Sequence, residues 1–316
     1  MQNLGKDLAR AASVLKAGGL VAMPTETVYG LAANAFDQAA VARIYEAKNR
    51  PHFDPLIVHL PDWNEVDRVA TSIHPEAHLL WNALGPAPIT YVLPKRNEVP
   101  DLVTSGLDHV AVRIPQLRLA RELLTLAGVP AAAPSANPFG FVSPTTAQHV
   151  ADQLGERVDY ILDGGPCEVG LESTIIAWPN GKAVVLRLGG ITLEQLSAIL
   201  GYLPEVRNSS SSPSAPGMLQ AHYAPGKPLR LVPQGFDWSG EQGKEIQSLP
   251  WMPAEGIAGS LTTSGSPAEA AQRLFAELRA FAASDAKELW IEMAPEEGLG
   301  RAINDRLRRA AHCGED

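Results

Sequence analysis

Cysteine is almost absent: the chain holds two, Cys167 and Cys313, far apart in the sequence. Two thiols make no disulfide framework, are too few for a structural zinc site, and suit a reducing compartment. No unbroken apolar run reaches the roughly 20 residues that span a bilayer. An N-terminal signal is not visible either. Leu4, Leu8, Ala11 and Leu15 recur at helical spacing among Lys6, Asp7, Arg10 and Lys16, an amphipathic helix, so the expected location is the cytoplasm, without membrane contact. Positive charge is in deficit: 26 Lys+Arg against 35 Asp+Glu leave a formal net charge of −9. That balance argues against broad charge-driven binding to nucleic acid or anionic membrane, while leaving room for a local basic pocket. Neither GxxxxGK[ST] nor GxGxxG occurs. A bound nucleotide would therefore use no P-loop or dinucleotide fingerprint. Separate cations and hydroxyls would have to meet its phosphates, with magnesium bridging phosphate oxygens.

What is present describes an ordinary globular chain of 316 residues, 45% hydrophobic and 19% charged, long enough for two cores. The first two thirds alternate short β-like runs (Leu20–Met23, Leu56–Leu60, Ile89–Leu93, Val110–Ile114, Ala131–Ala133, Tyr160–Leu162, Thr174–Ala177, Val184–Leu188) with helical patterns such as Ala39–Lys48, Pro75–Leu84, Arg118–Ala127 and Thr145–Leu154. This predicts an α/β domain over residues 1–204 with a twisted mixed sheet and flanking helices. Residues 205–227 hold a Ser/Pro/Gly stretch without apolar periodicity and read as a linker that is mobile when no ligand is bound. Residues 228–316 predict a smaller Rossmann-like α/β domain. Its strands are Leu229–Val232, a run near Ile257–Leu261 and Leu289–Met293. Ser266 and Glu269 form a capping box around Pro267 at the start of a helix to about Ala283, and a final helix covers Arg301–Ala311.

Gly18 to His59 is the most informative stretch. Leu20–Met23 reads as a buried strand that Pro24 ends, and Gly30 allows a turn a side chain would hinder. Between them stands Pro24-Thr25-Glu26-Thr27-Val28-Tyr29, and one helix later Lys48-Asn49-Arg50-Pro51. Hydroxyls at a strand end with paired cations suit a small polar ligand joined to a phosphate. Arginine offers a planar fork, lysine a mobile point charge, although a helix C-terminus favours cations in any case. Arg113 lies in an otherwise apolar strand, either facing solvent on an edge or paired with an anion. Ser143 before Pro144 reads as a helix N-cap, an end that also presents N–H groups to phosphate. Tyr223 is an aromatic with little packing reason to be in its segment, which suggests a gate. His74 and His78 have the i, i+4 spacing of a metal pair, but no third ligand is recognisable.

These segments, together with Ser105-Gly106-Leu107, Pro134-Ser135-Ala136-Asn137, Glu172-Ser173-Thr174, Leu186-Arg187-Leu188-Gly189 and His222-Tyr223-Ala224-Pro225, resemble the YrdC-like threonylcarbamoyl-AMP synthases in their long form. The resemblance covers nearly the whole chain. It implies an enzyme, a nucleotidyltransferase that makes threonylcarbamoyl-AMP and pyrophosphate from L-threonine, bicarbonate and ATP for tRNA modification, with magnesium held mainly by the ATP phosphates. It implies that Thr27, His59, Arg113, Ala133 and Ser173 hold threonine, with the substrate carboxylate as the anion of Arg113. Arg50, Asp54, His109, Ser135, Ser143, Arg187 and Tyr223 would contact ATP, and Lys48 with Arg50 would offset phosphate charge. Asp54 stands where the family usually has asparagine, and an anion there repels a triphosphate unless magnesium intervenes. His109 replaces a frequent threonine, and Phe139 a small polar residue. Implied partners are a transferase complex that carries the product to tRNA and, at most, a weak contact with tRNA itself. Two other activities share this fold: double-stranded RNA binding, which needs a wide basic face, and a hydrogenase-maturation carbamoyl transfer, which needs cysteine pairs this chain lacks.

Overall fold

The computed structural model describes residues 3–207, 222–240, 243 and 245–312. In chain order the elements are β1 (Leu4–Gly5), α1 (Leu8–Lys16), β2 (Val21–Met23), β3 (Gly30–Asn34), α2 (Gln38–Lys48), β4 (Ile57–His59), α3 (Pro75–Leu84), β5 (Ile89–Pro94), α4 (Asp101–Thr104), β6 (His109–Arg113), α5 (Arg118–Ala127), β7 (Ala131–Ala132), α6 (Ala147–Gln153), β8 (Tyr160–Leu162), β9 (Thr174–Ala177), β10 (Val184–Arg187), α7 (Leu193–Leu200), β11 (Glu205–Val206), β12 (Leu229–Val232), β13 (Ile246–Leu249), α8 (Pro267–Ala283), β14 (Glu288–Glu292) and α9 (Leu299–His312). β1 to β11 form one mixed sheet in the order β1-β8-β2-β3-β7-β4-β6-β5-β9-β10-β11, and β12-β14-β13 form a second, parallel sheet. The α/β class with a mixed sheet is as expected.

Period-two alternation gives the large sheet two different faces. Val58, Tyr91, Leu93, Val110, Val112, Ile176 and Val185 point into the main core. Their neighbours Ile57, Val92, Ala111, Ile175, Ala177, Val184 and Leu186 form a separate apolar layer on the opposite face. His59 continues the row of Ile57, and Arg113 that of Ala111, so both leave the main core for this second face. Arg187 arrives there by a different route. In strict alternation it would follow Val185 into the core, but the β9–β10 ladder shifts register so that Arg187 opposes Ile175. The bulge re-aims the arginine.

Several local readings are corrected. Leu4 belongs to a strand, and the first helix begins after Asp7, whose carboxylate accepts from the Arg10 N–H. Gly30 opens β3, where a Cβ would approach the Ala133 Cβ at 3.2 Å; close packing explains it, not a turn. Thr146, not Ser143, caps α6 by accepting from the His149 N–H. Ser266 makes no side-chain cap, because Glu269 instead accepts from Thr262, Thr263 and Ser264. The strand expected near Ile257–Leu261 is β13 at Ile246–Leu249. Glu205–Val206, expected in the linker, pair with β10 as an edge strand. The linker's mobility concerns mainly residues 208–221, which lie outside the described residues.

The C-terminal part packs against the large sheet's loops. Leu274, Phe275 and Leu307 share one apolar cluster with Val28, Val142, Leu171 and Tyr223. Arg279 of α8 donates to the carbonyl of Ser143 and, at 2.9 Å, to Gln153 Oε1. Gly170, at φ +74°, lies so close to α8 that a Cβ would meet the Gln272 Cα at 2.5 Å.

Candidate functional site

One cleft on the second face collects most of the predicted residues. Arg50, Asp54, His59, Arg113, Ala133, Ser135, Arg187 and Tyr223 line it, joined by Thr25, Glu172 and His222. Four others stand one contact behind the wall. The Thr27 and Thr25 hydroxyls are 2.9 Å apart, and Ser143 Oγ donates to Glu172 Oε1 at 2.7 Å. Ser173 Oγ shares hydrogen bonds with Thr90 Oγ1 (2.7 Å) and Arg187 Nη2 (3.0 Å). Lys48 is fully enclosed and its Nζ donates to the carbonyls of Ser135 and Asn137. It ties down the Ser135 loop instead of offering its charge to the cleft, and burial, then the neighbouring Arg50, depresses its pKa well below the usual lysine range.

His109 is not brought in. It is exposed, on the same face of β6 as Arg113 but four residues away, about 13 Å along the strand. There it borders a neighbouring cavity with His74, Trp178 and Arg207. His74 caps α3 and stacks on Trp178, while His78 accepts from Trp63 Nε1, so each histidine of the i, i+4 pair has a structural task.

The charges are arranged in a telling way. Arg50 Nη2 lies 2.8 Å from Asp54 Oδ2. Arg113 pairs with Glu26, so its anion comes from the chain, where the resemblance implied a substrate carboxylate; its Nε has no hydrogen-bond partner among the described residues. Glu172 takes Arg306 from α9, at 3.1 Å. Arg187 forms no ion pair among the described residues: its donors go to the Ser173 carbonyl and hydroxyl, both at 3.0 Å, and Glu172 acts on it only from beyond ion-pair distance. Burial lowers its pKa to about 10, so it stays cationic at neutral pH. The cleft therefore holds one buried cation with no carboxylate of its own. His59, enclosed and then repelled by Arg113, is pushed down to about 3 and is a neutral hydrogen-bonding group near Ile57 O (3.2 Å).

Tyr223 was expected to lack packing partners, and it has several. Its ring lies against His222 (centroids 4.1 Å), stacks on Phe275 (5.4 Å) and has the Arg306 guanidinium 5.5 Å from its centroid. Phe139 sits edge-on to His222 and near Arg50, bridging the two. Sequence reasoning passed over Glu26, His222 and Arg306. The first two stand inside quoted motifs as polar residues next to recognised ones, which was a usable signal. Arg306 had none, being one of several arginines on an amphipathic helix.

A magnesium-bearing ligand is compatible with these residues. Asp54 is a hard oxygen donor on the cleft wall whose buried Oδ1 lacks a hydrogen-bond partner among the described residues. No cluster of three or more His, Cys, Asp or Glu side chains able to cage a metal occurs among them. One carboxylate beside phosphate oxygens is the arrangement magnesium favours.

Comparison with known proteins bears on the whole chain. The Sua5, YciO and YrdC family model, described as "Telomere recombination", matches residues 13–189. The model of the threonylcarbamoyl-AMP synthase C-terminal domain matches residues 191–312. The chain is 39% identical to a threonylcarbamoyl-AMP synthase of Pyrococcus abyssi, over 95% of this chain and 93% of that one. It is 38% identical to the Bacillus subtilis threonylcarbamoyl-AMP synthase, covering 96% and 92%. The crystal structure of P. abyssi Sua5 complexed with L-threonine superposes with a TM-score of 0.87 at 37% identity, over 96% of this chain and 94% of that one.

Proposed function

The chain belongs to the Sua5, YciO and YrdC family, and from that premise we propose that it is a threonylcarbamoyl-AMP synthase, a nucleotidyltransferase acting on L-threonine, bicarbonate and ATP. The observation that carries this reading to the site is Arg187: a buried guanidinium without an ion-pair partner among the described residues, in a cleft whose other arginines are already paired, calls for an anionic ligand.

In the proposed reaction the threonine amine is carboxylated by bicarbonate, with loss of water. An oxygen of the resulting carbamate attacks the ATP α-phosphorus, and the bond to pyrophosphate breaks. His59, Arg113 and Ala133 border the threonine end, with Thr27 and Ser173 behind them. Neutral His59 accepts or donates one hydrogen bond without adding charge, and Arg113 uses its spare Nε. Arg50, Ser135, Arg187 and Tyr223 border the phosphate end, with Ser143 and Lys48 supporting it. Asp54 would hold the magnesium brought with ATP, which would supply charge neutralisation on the phosphate oxygens. No nucleophile is needed, so the residues act by positioning and electrostatics. His109 would meet only a ligand that extends along β6. The product passes to a transferase that modifies tRNA, in the cytoplasm. No described helix is long and apolar enough to cross a membrane. The double-stranded RNA reading finds no support in a chain of net charge −9.

The test is incubation with radiolabelled bicarbonate, threonine and ATP. Label should enter an adenylate, with pyrophosphate released, only when all three are present. Pyrophosphate release independent of threonine would overturn the reading.

A further inference from the structure

We propose that Arg306, at the far end of the chain on α9, is a positioning residue of this site. It holds the Glu172 carboxylate and the Tyr223 ring where the cleft needs them, so that the C-terminal part completes the site. The proposal rests on the functional reading above.

Arg306 is fully buried, with its Nε 3.1 Å from Glu172 Oε2 and its Nη1 2.8 Å from Asp305 Oδ2. Its Nη2 has no hydrogen-bond partner among the described residues. An arginine retained only for stability is poorly explained in such a place, since an apolar residue of similar volume fills a core at no desolvation cost. What the guanidinium does reach is the cleft wall. Glu172 divides its two oxygens between α9 and the loop before α6, Oε2 to Arg306 and Oε1 to the Ser143 hydroxyl. Removing Arg306 frees one side of that carboxylate and with it the orientation of Ser143.

The backbone agrees. Gly189 packs so tightly that a Cβ would lie 2.3 Å from the Glu172 carbonyl oxygen, and Gly170 presses on α8. The backbone that carries Glu172 is thus held at Gly189 and, two residues earlier, against α8. Tyr223, at φ +68°, holds a left-handed backbone unusual for a tyrosine and is over-determined by its ring contacts, the Arg306 guanidinium among them.

The groups facing Glu172 are Arg306 from α9, Arg187 from β10, Ser143, and His222 with Tyr223, while Asp305 of α9 pairs with Arg306 and with Arg309. Burial alone would raise the Glu172 pKa, and Arg306 with Arg187 outweighs it and keeps the carboxylate ionised. The test uses Arg306→Met and Arg306→Lys in the full chain. Arg306→Met should lower kcat/KM for ATP by about tenfold or more and move the acid limb of its pH profile upward by about one pH unit or more. Adding Arg306→Met to a Glu172→Gln background should leave the limb where Glu172→Gln alone puts it. Arg306→Lys, which keeps charge but loses the fork, should recover part of the loss, and it serves if Arg306→Met does not fold. A readout without turnover separates this from the functional reading: the Glu172 carboxyl carbon, followed by NMR, should titrate at higher pH in the variant. A folded variant with an unmoved Glu172 titration overturns the proposal, whatever the activity of the wild type.

Discussion

Replacing Arg187 by methionine removes the buried cleft arginine that forms no ion pair among the described residues. The change keeps most of the side-chain volume and removes the charge. A unit charge about 4 Å from a phosphate oxygen, at the effective dielectric of a partly enclosed site, contributes about 4 kcal/mol. At about 1.36 kcal/mol per decade this is close to a thousandfold in kcat/KM for ATP. The fold should tolerate the change. Two hydrogen bonds to Ser173 are lost, about 1 kcal/mol each, but the desolvation of an unpaired guanidinium is relieved at the same time. Pyrophosphate release would be measured with ATP titrated at saturating threonine and bicarbonate, with thermal unfolding as the control for folding. A folded variant whose kcat/KM falls by less than about tenfold, or about 1.4 kcal/mol, would refute the assignment of Arg187 to the anion.

Three further outcomes are expected. Arg113→Ala should raise the threonine KM strongly, because it strands Glu26 in a buried site and leaves the substrate carboxylate unpaired, a loss on the order of 2–5 kcal/mol; a threonine titration at saturating ATP checks it, and an unchanged KM sinks it. Tyr223→Ala should cut activity while Tyr223→Phe keeps most of it, since the contacts are made by the ring face; equal losses in steady-state assays would assign the role to the hydroxyl. Stability should fall in mild acid. His59 and His222, held near pKa 3 mainly by burial, bind a proton more readily when unfolded, so stability is full above the unfolded value of about 6.5 and is lost as pH falls towards 3. At pH 5 this is about 2 kcal/mol for each histidine, and equal urea midpoints at pH 5 and 7 would contradict it.

How far the sequence was legible varies from element to element. Long periodic segments such as α3, α5 and α8 lie where their patterns put them, since the apolar spacing that marks a helix is the spacing that buries it. The failures are local competitions. Ser143 has the chemistry of an N-cap, but a buried glutamate from another segment takes its hydroxyl and Thr146 caps instead. Glu269 meets a threonine-rich loop before it can reach back to Ser266. In the site, Arg50 and Arg113 were readable because a cation behind a helix or inside an apolar strand needs an explanation, whereas His59 and Arg187 were reached only through the resemblance. The bulge that aims Arg187 was not readable, because it is a property of the pairing and not of the residue. Arg306 was hidden for the same reason: nothing local distinguishes it from the other arginines of α9.

The split of the site between the two ends of the chain also sets an order in time. Ribosomal synthesis proceeds at about 5–20 residues per second, so Arg306 follows Arg187 by roughly ten seconds. Within that interval β11 completes the large sheet and α8 supplies Leu274 and Phe275 to Val28, Val142 and Leu171, while Glu172 still has no cationic partner from α9. The nascent protein is then a finished sheet with an unfinished wall, its second apolar cluster still lacking Ile303 and Leu307. The Glu172 side of the cleft is closed only when α9 is made, and a chain interrupted before it lacks both the Arg306 contact and the α9 share of the second apolar cluster.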